Sequence, residues 1–187
     1  NVVSSVIKSP STAKSSSLEN GTWLWTPIFQ ITPEYRKSII SGAKKNSVKT
    51  IYLSIDTYLD VFVMKEGEEK DEGKKTFDKV LEDFIVEAHK NNISVDAETG
   101  WQNWAEAGNS YKAFAVLDYV INFNKTHKEK FRGFQYDVEV YLLPEYVKDK
   151  HITLYNFVNL VDQTVAKLSG SDLQLSVVVP DFYDGLS

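Results

Sequence analysis

Segments patterned as β-strands alternate along this chain with segments patterned as helices, in the order β-α-β-α-β-α-β-α-β, and no other feature limits the fold as strongly. Thr22-Trp23-Leu24-Trp25-Thr26 is aromatic and β-prone, and Pro27 limits it. Thr32 caps a helix with Pro33 in its first turn, which carries Ile39 and Ile40 and ends near Asn46. Val48 to Asp56 reads as a buried strand. Phe77, Val80, Leu81, Phe84, Ile85 and Ala88 recur at helical spacing, and Asn91-Asn92 ends the helix they predict. Ile93 to Glu98 is a third strand. Asn109 is placed to cap a helix with Tyr111, Phe114, Leu117 and Ile121 on one face, and Phe131 to Tyr141 is a fourth strand. Thr153 caps a last helix running through Leu154, Phe157, Val158, Val161 and Val165 to Leu168, with Gly170 as its stop. Leu173 to Val179 is the fifth strand, ended by Pro180.

Strands separated by helices of this length become parallel neighbours joined by right-handed crossovers. The expected class is α/β, and two architectures share this order: an open doubly wound sheet and a (β/α)8 TIM barrel. No Gly-rich phosphate loop follows the first strand, so a dinucleotide site of the Rossmann kind is not expected. Polar and aromatic residues gather where strands end: Trp25, Asp56 with Tyr58, Glu98 with Trp101, Asp137 with Glu139, and Asp181 with Tyr183. That is the pattern of a barrel's active-site face. The strands begin near residues 21, 49, 93, 132 and 173, a mean spacing of about 38. Eight such units need roughly 300 residues. The 187 residues are therefore expected to hold about five βα units, with 21–187 as the N-terminal part of a barrel and 1–20 as a Ser-rich linker.

Composition closes off other classes. Lys and Arg number 21 against 26 Asp and Glu, a formal charge of −5, which opposes a phosphate-neutralising nucleic-acid surface. No run reaches the ~20 apolar residues of a membrane span. With no Cys, disulfides, zinc-thiolate sites and Cys nucleophiles are excluded. The charged stretch Lys65 to Lys75, with Gly67 and Gly73, reads as a solvated loop. His89 and His127 sit at helix ends and His151 in a loop, so no His-based metal hydrolase is expected. A carboxylate-only Mg²⁺ or Ca²⁺ site built from Asp56, Glu98, Asp137 and Glu139 stays open, though no metal or other cofactor is expected. No Gly-x-Ser-x-Gly elbow supports a Ser-His-Asp triad.

The fourth strand carries the sharpest chemical signal. Side chains alternate along a strand, which puts Gly133, Gln135, Asp137 and Glu139 on one face and Phe134, Tyr136 and Val138 on the other. Two carboxylates at i and i+2 stand ~6–7 Å apart. At that range one ionised group raises the pKa of the other, the condition for a general acid. Aromatic residues near the strand ends (Trp25, Tyr58, Trp101, Trp104, Tyr141, Tyr183) supply planes on which sugar rings stack. Trp23 is expected in the core, and core packing competes with a cleft position for Trp25, Trp101 and Trp104.

The stretch Arg132-Gly133-Phe134-Gln135-Tyr136-Asp137-Val138-Glu139 resembles the strand-four signature Asp-Gly-x-Asp-x-Asp-x-Glu of family 18, chitinase-like glycoside hydrolases. Gly133, Asp137 and Glu139 match it, whereas Arg132 and Gln135 stand at its first two acidic positions. The apolar fifth strand ending in Pro180 resembles that family's as well. The resemblance implies a glycosidase acting on a polysaccharide or cell-wall glycan. Glu139 would protonate the leaving oxygen and Asp137 would orient the substrate's N-acetyl group, in a substrate-assisted retaining mechanism. Glu98 and Asp56 offer a second carboxylate for an ordinary two-carboxylate scheme. Trp25, Asp56, Tyr58, Glu98, Trp101, Gln135, Tyr141, Asp181 and Tyr183 are the expected substrate-binding residues. A non-catalytic carbohydrate-binding barrel of a surface protein is the alternative. Either reading expects a carbohydrate partner and an extracellular or cell-surface location.

Overall fold

The structure, a computed structural model, describes residues 20–106 and 108–185. Almost all of the expected 1–20 linker lies outside them. Five parallel strands form one sheet: β1 (Gly21–Leu24), β2 (Thr50–Ser54), β3 (Ser94–Thr99), β4 (Gly133–Tyr136) and β5 (Gln174–Val177). Their order in the sheet is their order in the chain. A doubly wound sheet reverses its order at a switch point, and none occurs among these strands.

The crossovers are α1 (Pro33–Lys45), α2 (Tyr58–Phe62) with α3 (Glu68–Lys90), α4 (Ser110–Thr126), and α5 (Pro144–Lys148) with α6 (Lys150–Leu168). α1 lies against α3, α2 bridges α3 and α4, and α4 lies against α6. The helix-facing row of the sheet is apolar: Ile51, Leu53 and Ile55, then Val95 and Ala97, then Phe134 and Tyr136, all buried. Of the predicted stripe of α3, Phe77, Leu81, Phe84, Ile85 and Ala88 are fully buried in the same core, and Val80 packs half-buried against it. Each such large side chain contributes about 2–3 kcal/mol when withdrawn from water. The Tyr136 hydroxyl, at the carboxyl end of this row, accepts a hydrogen bond from Thr164 of α6 (3.1 Å). The Thr32 hydroxyl accepts from the Tyr35 amide (3.2 Å), with Pro33 opening α1 as expected. Gly170 takes φ +84° just past α6, a left-handed conformation that glycine adopts without steric cost.

Four local expectations are corrected. The charged stretch Lys65 to Lys75 is a loop only as far as Gly67, because α3 begins at Glu68. Glu68, Glu69 and Asp71 complement the positive end of the helix, Lys70 pairs back to Glu66, and Gly73 sits beside Val61 and Met64. The last long helix is capped by Asp149, whose carboxylate accepts from the Ile152 amide (3.0 Å), so Thr153 is buried inside it and His151 is helical. Trp23 is not a core residue and stands 42% exposed on the other face of the sheet. The fourth strand ends at Tyr136 rather than Tyr141. After Asp137 the backbone bonds become local, Val140 to Val138 and Leu142 to Glu139, as the chain turns toward Pro144 at the head of α5. Strict alternation therefore stops short of Glu139.

Candidate active site

The sheet face turned away from the helices is polar, and the pairing register arranges it in rows. Trp23, Tyr52, Asp96 and Gly133 form one row, and Ser54, Glu98, Gln135 and Ser176 the next. Asp56 and Asp137 follow one step beyond, at the carboxyl ends of β2 and β4.

Hydrogen bonds tie the lower rows into a floor. Arg132 holds the buried Asp96 carboxylate with two bonds, of 2.9 and 2.7 Å. The Asp96 carboxylate lies 3.0 Å from where a Gly133 Cβ would be, so this glycine leaves it room. Trp23 stacks on Tyr52 with ring centroids 5.1 Å apart. Its indole N–H donates to Gln135 (2.8 Å), whose amide donates to Ser176 (3.1 Å). In a flat sheet the Trp23 and Gln135 backbones, three strands and two residues apart, would be separated by about 16 Å. Side chains standing upright on such a sheet would not meet. The sheet accordingly curls toward its polar face.

Glu98 lies at the centre of the second row and is 3% exposed. Burial, then the nearby charges of Asp56 and Asp137, push its carboxyl up to about 8. Its Oε2 has no hydrogen-bond partner among the described residues. Asp56 accepts from the Thr99 hydroxyl and from the Gly100 amide (3.3 Å). Burial outweighs these bonds and leaves its carboxyl above the ordinary value. Asp137 is raised by burial, then by Glu139 and Asp56. The Tyr141 hydroxyl donates to Glu139, and that bond heads the causes pushing the phenol up to about 12. Electrostatic coupling thus joins Asp56, Glu98, Asp137 and Glu139 across β2, β3 and β4.

Gly100, which sequence reasoning passed over, makes this possible. Its backbone passes so close to β4 that a Cβ would fall 2.0 Å from the Asp137 carbonyl oxygen. Ser54, Thr99 and Ser176 were missed too, since hydroxyls in apolar strands carry no motif. Asp96 was missed because its partner Arg132 is distant in sequence. Trp23 had a signal in alternation: it shares a face with Trp25 and takes the row of Asp96.

The remaining expected residues separate into groups. Gln135 and Tyr141 belong to the floor and to the Glu139 end of the site. Trp25 and Trp101 are 65% and 40% exposed, and Lys112 lies 5.0 Å from the Trp101 ring centre. Tyr183 and Phe182 follow β5, with Phe182 edge-on to Tyr141 at 5.4 Å and Asp181 exposed. Burial pushes Tyr183 up to about 12. Trp104 is fully buried against Tyr136. Tyr58 leaves the carboxylates: it stacks on Tyr119 at 4.1 Å in the helix layer, beside a cavity of about 290 Å³ lined also by Phe62, Asp78, Phe123 and His127. Among the described residues, no group of three or more His, Asp or Glu is arranged to hold a metal ion, and no helix is long and apolar enough to cross a membrane. The arrangement can move protons between closely coupled carboxylates at the open end of a parallel sheet. No family model matches the sequence, and comparison with curated proteins returns no match.

Proposed function

We propose that this chain is the N-terminal part of a glycosidase-like (β/α)8 barrel that hydrolyses glycosidic bonds of a polysaccharide or cell-wall glycan, at the cell surface or outside it. One observation carries the reading. Asp56, Glu98, Asp137 and Glu139 are coupled at the carboxyl ends of three adjacent parallel strands, where barrel enzymes place their chemistry. Sequential strand order and curling toward the polar face are what a barrel requires. Beyond β5 a further βα unit fits. Leu175 and Val177 are only half-buried where their counterparts on β2 to β4 are buried, and α6 exposes Ile152, Tyr155, Val158 and Val165.

In this proposal Glu139, steadied by Tyr141, gives its proton to the leaving oxygen. Asp137 orients and stabilises the group that attacks the anomeric carbon, an N-acetyl oxygen where the sugar carries one. A second reading, a carbohydrate-binding barrel without turnover, is favoured by the exposed Trp25 and by Gln135, which cannot ionise and is hydrogen-bonded through both its carbonyl and its amide. The test is release of reducing ends from chitin-like, peptidoglycan-like and plant glycans. Release by the wild type and not by Glu139→Gln supports the enzyme. Glycan binding that survives the substitution, with no release by either protein, supports the binding domain.

A further inference from the structure

We propose that Glu98 is the proton-holding positioning residue of this site, its un-ionised carboxyl on β3 allowing Asp56 and Asp137 to carry charge on either side of it. The catalytic consequence rests on the glycosidase reading above; the proton assignment does not.

The register puts Glu98 between Ser54 of β2 and Gln135 of β4, two neutral partners. The groups that face it with charge are Asp56 from β2 and Asp137 from β4, with Glu139 reaching it through Asp137. Asp96, two residues earlier on β3, is already neutralised by Arg132. Among the described residues, no cation therefore faces Glu98 from the strands packed beside it. Three ionised carboxylates confined there would each raise the others' free energy, and the buried member is the one that water stabilises least. Glu98 is that member, at 3% exposure against half-buried Asp56 and Asp137. Asp56 receives two hydrogen bonds suited to a carboxylate, from Thr99 and Gly100. Ser54 gives Glu98 a hydrogen bond, but Glu98 Oε2 has no partner among the described residues, so nothing there offsets the cost of burying a charge on that oxygen. Gln135 stands where the resembled signature has an acid and cannot hold the shared proton in its place, because an amide does not ionise.

The test is ¹³C-detected titration of side-chain carboxyls in the whole chain, with the Glu98 signal assigned by its loss in Glu98→Gln. Glu98 is expected to hold its proton to about pH 8 and to lose it at markedly lower pH in Asp137→Asn. Titration of Glu98 near 4.5, or a midpoint unmoved by Asp137→Asn, overturns the proposal. On a hydrolysed glycan, Glu98→Gln should lower activity far less than Glu98→Ala does and should lose the alkaline limb of the pH–rate profile. Glu98→Ala should lower kcat by about 100-fold with KM little changed, as a misplaced partner does. Glu98→Gln as impaired as Glu98→Ala also overturns it. Coupled titration without turnover of any glycan keeps the proton assignment and removes the glycosidase reading.

Discussion

Removing Arg132 should be among the most damaging single changes to this fold, although the residue lies at the edge of a strand and is partly exposed. Its guanidinium makes two bonds to Asp96, at 2.9 and 2.7 Å, while the Asp96 side chain keeps only 5% of its exposure. Arg132→Met keeps most of the aliphatic stem and leaves a buried carboxylate without its counter-charge. Breaking a buried pair from one side costs about 3–5 kcal/mol, far above the ~1 kcal/mol of an exposed pair. Arg132 also interacts with Tyr52, which keeps the expected loss toward the upper end. Urea unfolding followed by tryptophan fluorescence and by far-ultraviolet circular dichroism gives the difference, provided both probes report one transition. The double variant Arg132→Met with Asp96→Leu removes both charges and should recover most of the loss. A loss under 1 kcal/mol for Arg132→Met, or no recovery in the double variant, would refute the reasoning that this pair anchors the polar floor.

Gly100→Ala forces a Cβ into the Asp137 carbonyl, 2.0 Å away, and should lower stability by about 2–4 kcal/mol while displacing Asp137; thermal melts of wild type and variant check this. Phe84→Ala empties a fully buried position of α3 and should cost about 3–5 kcal/mol by urea unfolding. Stability should fall as pH rises from 4.5 to 8, because folded Glu98 keeps a proton that the unfolded chain releases near 4.5. The raised carboxyls of Asp56 and Asp137 add to that slope. The contribution of Glu98 is fully present below 4.5 and lost by about 8, and at about 1.4 kcal/mol per pH unit it has a ceiling of roughly 5 kcal/mol. Denaturant midpoints across that range check it, with Glu98→Gln giving a shallower slope.

Periodicity made the layers of this fold readable. The α3 stripe from Phe77 to Ala88 and the short apolar strands announce parallel βα units, because burial on one helix face and on the helix side of a sheet imposes fixed spacings. Local chemistry misled where tertiary contact overrides it. Gly67 and Gly73 suggested a loop, yet Lys70 pairs with Glu66 four residues back and Gly73 packs beside Val61 of α2, so α3 runs on from Glu68. The carboxylates at strand ends were visible as residue types, but not the coupling among them. Glu98 is set apart from Asp137 by burial, and Asp96 is tied to Arg132 across a strand boundary 36 residues away. Tyr58 shows the reverse failure: two residues after Asp56 along the chain, it belongs to a different layer because α2 begins there and turns it toward Tyr119.

The most direct test of the central claim is the ratio of kcat/KM for wild type and Glu139→Gln on the best-hydrolysed glycan of the panel, measured by reducing-end release. The account predicts a fall of about 100- to 10,000-fold, the usual contribution of a positioned general acid, with glycan affinity unchanged. Equal rates for the two proteins would contradict it and remove Glu139 from the chemistry.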